Sequence, residues 1–310
     1  MIKKILTISV FVLTVIGCRN KSIKHDSPVQ PINFTIEDLI VNLENSRNDQ
    51  IMVAAHRGDW RNAPENSLQA IQNCIDMGVD IVEIDIRETK DGELVVIHDD
   101  SLNRTTNGRG YIKDWTLDSL KTLRLRDGLG VVTQHRIPTL EEALMLSRNK
   151  ILVNLDKGYR VFEKVIAIVQ KTGTTHQVIF KGRKSKDEVE KEIGKYLDEI
   201  YFMPIIKLND PSAEKTVKEY LTKIRLPVAF EFTVPQDTIR FIEYFAEIRK
   251  KGASVWVNSL WPQHNGGHDD EKAAIDTGIY NWYIENHIDI IQTDRPELLL
   301  SFLRERGLHR

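Results

Sequence analysis

Cysteine is scarce in this 310-residue chain, which has only two. Cys18 and Cys74 build no disulfide framework. Cys74 falls in a helical pattern and reads as a small buried apolar residue, with no His or Asn placed near it as in a papain-like nucleophile. Net charge is missing too: 43 Lys+Arg against 45 Asp+Glu leave −2. Such a balance argues against a nucleic-acid partner, which would want a clearly basic chain. No short-period repeat and no low-complexity segment is visible. What remains is 41% hydrophobic and 28% charged, the make-up of an ordinary soluble globular domain. The length fits one large α/β domain or two small ones.

The N-terminus departs from that composition. Lys3-Lys4 precede an apolar run from Ile5 to Ile16, too short to span a bilayer as a mature helix. Basic start and short apolar core read as a secretory signal peptide. Val15-Ile16-Gly17-Cys18 resembles a bacterial lipobox, in which the cysteine is lipid-modified and becomes N-terminal after cleavage. Residues 1–18 are thus expected to be a lipoprotein leader, and 19–35, polar and holding Pro28 and Pro31, a flexible tether. Residues 36–310 are expected to form the folded domain. The protein would be exported and lipid-anchored to a bacterial membrane, on its periplasmic or outer-membrane face. A plain signal peptide with an incidental cysteine is the alternative.

From Ile51 onward, strand-like runs alternate with amphipathic helical ones. Nine strands are predicted, over 51–55, 80–86, 94–98, 151–156, 177–181, 201–206, 228–232, 254–257 and 289–293. Helices are predicted over 36–47, 67–77, 139–147, 161–171, 185–197, 213–223, 238–250, 272–286 and 296–306. Continuous apolar strands suit a sheet covered on both faces. About eight βα units point to a parallel (β/α)8 barrel with one strand outside it, and a doubly wound open sheet is the alternative. Punctuation agrees: Asn66 reads as an N-cap, Gly78 as a C-cap and Thr139 with Glu142 as a capping box.

Costly polarity gathers at the ends of the first strands. Glu83 and Asp85 are two apart, so both face one side, while Val82, Ile84 and Ile86 face the helices. Two buried carboxylates repel unless a cation or a proton compensates. A hard divalent ion, Ca²⁺ or Mg²⁺, suits oxygen ligands; a bridge from Arg57 or Arg87 is the alternative. His56 and His98 each end a strand, where a (β/α)8 barrel opens its catalytic mouth. Two facing imidazoles there suit a general base and a general acid near neutral pH. Arg57 offers a planar fork for a phosphate, and Gly58 permits close backbone approach.

In order, these residues spell His56-Arg57-Gly58, Pro64-Glu65-Asn66-Ser67, Glu83-Ile84-Asp85, Asp91-Gly92, His98-Asp99 and Arg104-Thr105-Thr106-Asn107-Gly108. The segment resembles the signature of the glycerophosphodiester phosphodiesterase family, and Asp289-Ile290-Ile291-Gln292-Thr293-Asp294-Arg295-Pro296 resembles its closing strand motif. The resemblance runs over roughly residues 51–300 and is densest in the first quarter. It implies a single-domain (β/α)8 TIM barrel and one divalent cation on Glu83 and Asp85. It also implies His56 and His98 as the acid–base pair, Arg57 on the phosphate and Glu65 beside metal and arginine. The substrates implied are small glycerophosphodiesters, cut to glycerol 3-phosphate and an alcohol through a cyclic phosphate.

One motif departs from the family. Where the resemblance expects Glu-x-Lys, the chain reads Val153-Asn154-Leu155-Asp156-Lys157. Asp156 is preferred to Asn154 as third metal ligand because a carboxylate holds the ion better. Lys157 then reaches the phosphate only if the strand has already turned. Lys181 is a second candidate phosphate-binding cation, and Glu231 and Asn258 are supporting residues at the mouth. The 261–270 stretch, with Trp261, His264, His268, Asp269 and Asp270, reads as a loop over the mouth that contacts the leaving alcohol. It is alternatively a second metal site or a polar loop capping the next helix. The visible loops look short and polar, which favours small soluble substrates. A phospholipase D-like enzyme acting on lysophospholipids or sphingolipids is the alternative on the same barrel, and a non-catalytic binding protein a third. No obligate protein partner is evident.

Overall fold

The β-branched runs become nine strands in the computed structural model, which describes residues 35–45, 49–222 and 225–310. They are β1 (Met52–His56), β2 (Ile81–Glu88), β3 (Leu94–Val96), β4 (Leu152–Asp156), β5 (Val178–Gly182), β6 (Tyr201–Lys207), β7 (Ala229–Thr233), β8 (Ser254–Asn258) and β9 (Ile290–Thr293). Eight are parallel and close on themselves, because β1 pairs with both β2 and β9. The closed (β/α)8 barrel replaces the open doubly wound alternative. The ninth strand is β3, which runs antiparallel to β2 through Ile86↔Val96 and Glu88↔Leu94 and so stands outside the barrel. The leader, Cys18 and the tether lie outside the described residues, Thr35 excepted. Thr35 is no tether residue: with Asp38 it forms the capping box of helix Ile36–Glu44.

Two apolar layers follow from the alternation of side chains along each strand. Outward-facing Val82, Ile84 and Ile86 meet the surrounding helices, as expected. Inward-facing residues near the strand starts, among them Met52, Ile81, Leu152, Ile179 and Trp256, fill the barrel's lower end, where Ile36, Leu39 and Leu43 of the first helix plug it. His309 and Arg310 close the same end by pairing with buried Asp80, whose carboxylate also accepts the Val53 N–H at 2.7 Å.

Local deviations have local causes. Helix Leu68–Met77 is capped by Ser67, whose hydroxyl accepts the Ala70 N–H at 3.0 Å, not by Asn66 as expected. Gly78, left-handed at φ 79°, ends it, and the Thr139–Glu142 capping box forms. The helix expected over 238–250 opens as a 3₁₀ turn, Arg240–Tyr244, before α-helix Phe245–Lys251, a common entry at helix starts. The one expected over 272–286 breaks into Asp270–Ala273, a 3₁₀ turn Thr277–Tyr280 and Asn281–Glu285. Extended Asp276 causes the break: its carboxylate caps the Gly278 N–H at 2.8 Å and starts a new turn. Between β3 and helix Leu140–Ser147 lies a long insertion with its own small core of Leu102, Ile112, Leu120, Leu125 and Ile137. Its turn around residues 126–132 exposes Leu129 (91%) and Val131 (59%), so the loops are neither uniformly short nor polar.

Candidate active site

Parallel register sets the site. His56 stands opposite Glu83, Glu83 opposite Asn154 and Asp85 opposite Asp156, so the inward faces of β1, β2 and β4 present their polar residues at the barrel's C-terminal mouth. A cavity of about 440 Å³ opens there, lined by His56, Arg57, Glu83, Asp85, His98, Asp156, Lys181, Glu231 and Asn258, among others. That volume lies within the range of small-molecule sites.

Glu83, Asp85 and Asp156 each offer a carboxylate oxygen, and these oxygens lie within 4.8 Å of one another. Burial, then the charge of Asp85, pushes Glu83 up to about 7. A doubly positive ion would remove that strain, and three hard oxygen donors fit Ca²⁺ or Mg²⁺. Asn154 sits deeper: it is fully buried, and its Nδ2 donates to the Ile179 carbonyl at 3.3 Å. Lys157 has left the strand. At φ 64° it is left-handed, which turns its ammonium back onto Asp85 and to 3.3 Å from Asp156. It therefore lies against the acidic group and would share those oxygens with an ion. Asn66 holds Asp85 from behind. Its Nδ2 donates to Oδ2 and its Oδ1 accepts the Asp85 N–H, each at 3.0 Å. That pairing explains why Asn66, itself left-handed at φ 59°, is not the helix cap.

Each histidine has its Nδ1 anchored by a carboxylate, which leaves Nε2 for other work. His56 Nδ1 lies 2.8 Å from Asp294 Oδ1, and His98 Nδ1 lies 2.6 Å from Asp99 Oδ1. Burial tends to lower His56, but the hydrogen bond to Asp294 and the charge of Glu83 outweigh it, so its pKa is raised. At half-buried His98, burial outweighs Asp85 and Asp99, and its pKa is lowered. Asp294 had a place in the sequence only within the closing strand motif, with no role attached. Trp60 Nε1 also donates to it, at 2.6 Å.

Arg57 is reached from several sides. Its N–H donates to Glu83 at 3.0 Å, its Nη1 to Glu65 at 3.2 Å, and its Nε lies 3.6 Å from Asp85. Glu65 is outside the three-carboxylate group; it binds Arg57 and, through both oxygens, Arg104. Gly58 is needed for packing: at φ 75°, a Cβ there would come within 2.8 Å of Ala70 Cβ.

Across the mouth, Lys181 lies 3.5 Å from Asp156 and 3.3 Å from Glu231. Asn258 donates to Glu231 at 2.9 Å and accepts from Trp256 at 2.8 Å. The 261–270 loop divides. Trp261 and His264 line the cavity, and Trp261 meets His56 edge-on at 5.8 Å. His268 instead stacks on Trp282, Asp269 caps helix Asp270–Ala273, and Asp270 is buried among Ser259, Tyr280 and Thr293. The second metal site conceived there is not assembled; among the described residues the only grouping of ligand side chains is Glu83, Asp85 and Asp156. Cys74 is fully buried, and burial pushes its thiol pKa up, so it is no nucleophile.

Fold and site together define a (β/α)8-barrel protein whose two carboxylate-anchored imidazoles share a cavity with an arginine and an acidic cluster. The profile of the glycerophosphoryl diester phosphodiesterase family matches residues 56–226, more than half of the chain, and the chain belongs to that family. A profile named DUF4996, a domain of unknown function, matches residues 202–303. The chain is 46% identical over 107 residues to a glycerophosphodiester phosphodiesterase of Caldanaerobacter subterraneus subsp. tengcongensis, a match covering 34% of this chain and 44% of that protein. It is 42% identical over 110 residues to one of Bacillus altitudinis, covering 34% and 44%. The chain thus spans under half the length of these two relatives. A crystal structure of a glycerophosphoryl diester phosphodiesterase from Parabacteroides distasonis superposes with a TM-score of 0.71 at 26% identity, over 88% of this chain and 93% of that one. An Oleispira antarctica phosphodiesterase solved with the product sn-glycerol-3-phosphate shares the fold, with a TM-score of 0.59 at 21% identity over 84% of this chain and 99% of that one.

Proposed function

We propose that this protein hydrolyses glycerophosphodiesters to glycerol 3-phosphate and an alcohol. The observation that carries this reading is the pair of carboxylate-anchored imidazoles on one cavity with Arg57 and three clustered carboxylates. Arg57 grips the phosphoryl oxygens. His98, with its lowered pKa, takes the proton of the substrate's 2-hydroxyl as that oxygen attacks phosphorus. His56, with its raised pKa, gives a proton to the departing alcohol oxygen. The P–O bond to the alcohol breaks and a cyclic phosphate forms. Water then opens the ring, with His56 now accepting a proton and His98 returning one. A divalent ion on Glu83, Asp85 and Asp156 would act as a Lewis acid on the phosphoryl group. Lys157 and Lys181, tied to Asp156, add positive charge beside it. Among the described residues, Gln292 Oε1 is a buried acceptor without a hydrogen-bond donor, and Gln292 lines the cavity. Glycerol hydroxyls are suitable donors.

The purified protein should release glycerol 3-phosphate from glycerophosphocholine. His56→Ala and His98→Ala should each lower kcat about 10²–10⁴-fold with the fold intact. Chelation should silence the enzyme, and Ca²⁺ or Mg²⁺ should restore it. Full turnover in either variant overturns the acid–base roles, and full turnover after exhaustive chelation removes the ion. The exposed turn at Leu129 and Val131 favours a second reading, an amphiphilic substrate such as a lysophospholipid. Gly128 and Gly130 of that turn line a neighbouring cavity that shares His56 and Arg57. Faster hydrolysis of lysophosphatidylcholine than of glycerophosphocholine would decide for it.

A further inference from the structure

The far wall of the mouth carries positive charge that the acid–base chemistry does not use. Lys181 ends the inward-facing row of β5, and two residues on, Arg183 follows on the same side. On β6, Met203 stands opposite Lys181, and Ile205 and Lys207 follow it on the same inward-facing row. Lys181 is paired with Asp156 and Glu231. Arg183 and Lys207 are not paired: both are exposed, both line the catalytic cavity, and among the described residues neither side chain has a carboxylate or a hydrogen-bond partner. Asp210 feels the charge of Lys207, but its carboxylate is used by the N–H and hydroxyl of Ser212. His264 lines the same cavity. Burial, then the charges of His56, Arg183 and Lys207, hold it below its ordinary pKa against the pull of Glu231. The one carboxylate of this wall, Glu231, is taken up by Lys181 and Asn258. Unpaired cations facing a cleft with low-dielectric walls focus a positive field into it.

We propose that Arg183 and Lys207 select a phosphodiester that carries a second anionic group, a phosphate or a carboxylate, on the arm lying over β5 and β6. This rests on the phosphodiesterase reading above and narrows its substrate class. Arg183 binds the second group through its planar fork and Lys207 as a point charge. A cationic choline arm is disfavoured there by like charge, and a neutral glycerol arm gains nothing.

The test compares kcat/KM for four substrates with one glycerophosphate end: glycerophosphocholine, glycerophosphoglycerol, glycerophosphoglycerol phosphate and glycerophosphoglycerate. The expected result is a preference for the phosphate- or carboxylate-bearing substrate over glycerophosphoglycerol of at least about tenfold at low salt. The preference should shrink as ionic strength rises, because the two cations are exposed. Arg183→Gln combined with Lys207→Gln should bring the ratio close to one, and Lys207→Glu should invert it toward choline. The faster of the two anionic substrates tells phosphate from carboxylate. The salt series needs no variant, so a misfolded mutant does not block the outcome. Equal kcat/KM across the set, unchanged by salt or by substitution, overturns this inference and leaves the phosphodiesterase reading standing. Hydrolysis of none of the four sinks the reading itself.

Discussion

Asp294 holds His56 Nδ1 while taking the indole N–H of Trp60, and its own N–H donates to buried Asp270 at 2.7 Å. The carboxylate is thus fixed from two directions, and it fixes the imidazole in turn. Its hydrogen bond is the largest cause raising the His56 pKa, and burial is the cause that opposes it. Asp294→Asn removes the largest raising cause, while only the charge of Glu83 still opposes burial. A general acid must be protonated, so the alkaline limb of the pH–rate profile should move to lower pH, and kcat should fall on the order of 10²-fold. An alkaline limb that stays in place would detach Asp294 from His56 function. The histidines themselves were legible in the sequence because each ends a strand beside Arg57-Gly58 or Asp99. Asp294 was hidden as a partner because it lies 238 residues from His56, and only barrel closure through β1–β9 brings the two together. Asn66 was misread for a related reason: asparagine suits both a cap and a carboxylate clamp, and the choice depends on β2, which local pattern does not see. Glu83 and Asp85 were readable from strand parity, and Asp156 was chosen over Asn154 only because a carboxylate suits an ion better, whereas Lys157 needed the left-handed turn that its own sequence does not announce.

Among the elements, the helix Ile36–Glu44 lines none of the catalytic cavity and closes the barrel's lower end. Leu39 is 2% exposed and shares the barrel's lower core with Met52, Ile81 and Trp256. Leu39→Ala leaves a cavity under the strands and should cost about 2–5 kcal/mol. The plug lies at the opposite end of the strands from the mouth, so kcat and KM should hold while the urea midpoint drops. An unshifted midpoint would mean that the helix is not part of the cooperative barrel. Strands were the most legible elements, since runs such as Ile151-Leu152-Val153 and Val178-Ile179-Phe180 are buried on both faces and need no partner to be recognised. Leu94-Val95-Val96 looks the same, yet it forms the outer strand β3, because composition does not say whether a strand pairs parallel or antiparallel. Helix boundaries failed where a side chain competes with the backbone, as Asp276 does at Gly278.

Over the whole molecule, polarity runs along the barrel axis: a plugged apolar end where the described chain begins at Thr35, and an open charged end where the candidate chemistry sits. Among the described residues, no helix is long and apolar enough to cross a membrane. We propose that the chain's start is a lipoprotein leader and that Cys18 is acylated there. Each buried CH₂ adds roughly 0.8 kcal/mol, so two or more acyl chains anchor firmly where one does not. In the native host, the full-length protein should therefore sediment with membranes and resist high salt, because the attachment is hydrophobic rather than ionic. Cys18→Ser should move it to the soluble exported fraction, with the hydrolytic kcat/KM of the released protein preserved, since the barrel and its mouth are untouched. Sedimentation of the serine variant with membranes would refute the anchor and shift attention to the exposed Leu129–Val131 turn as the part that meets lipid.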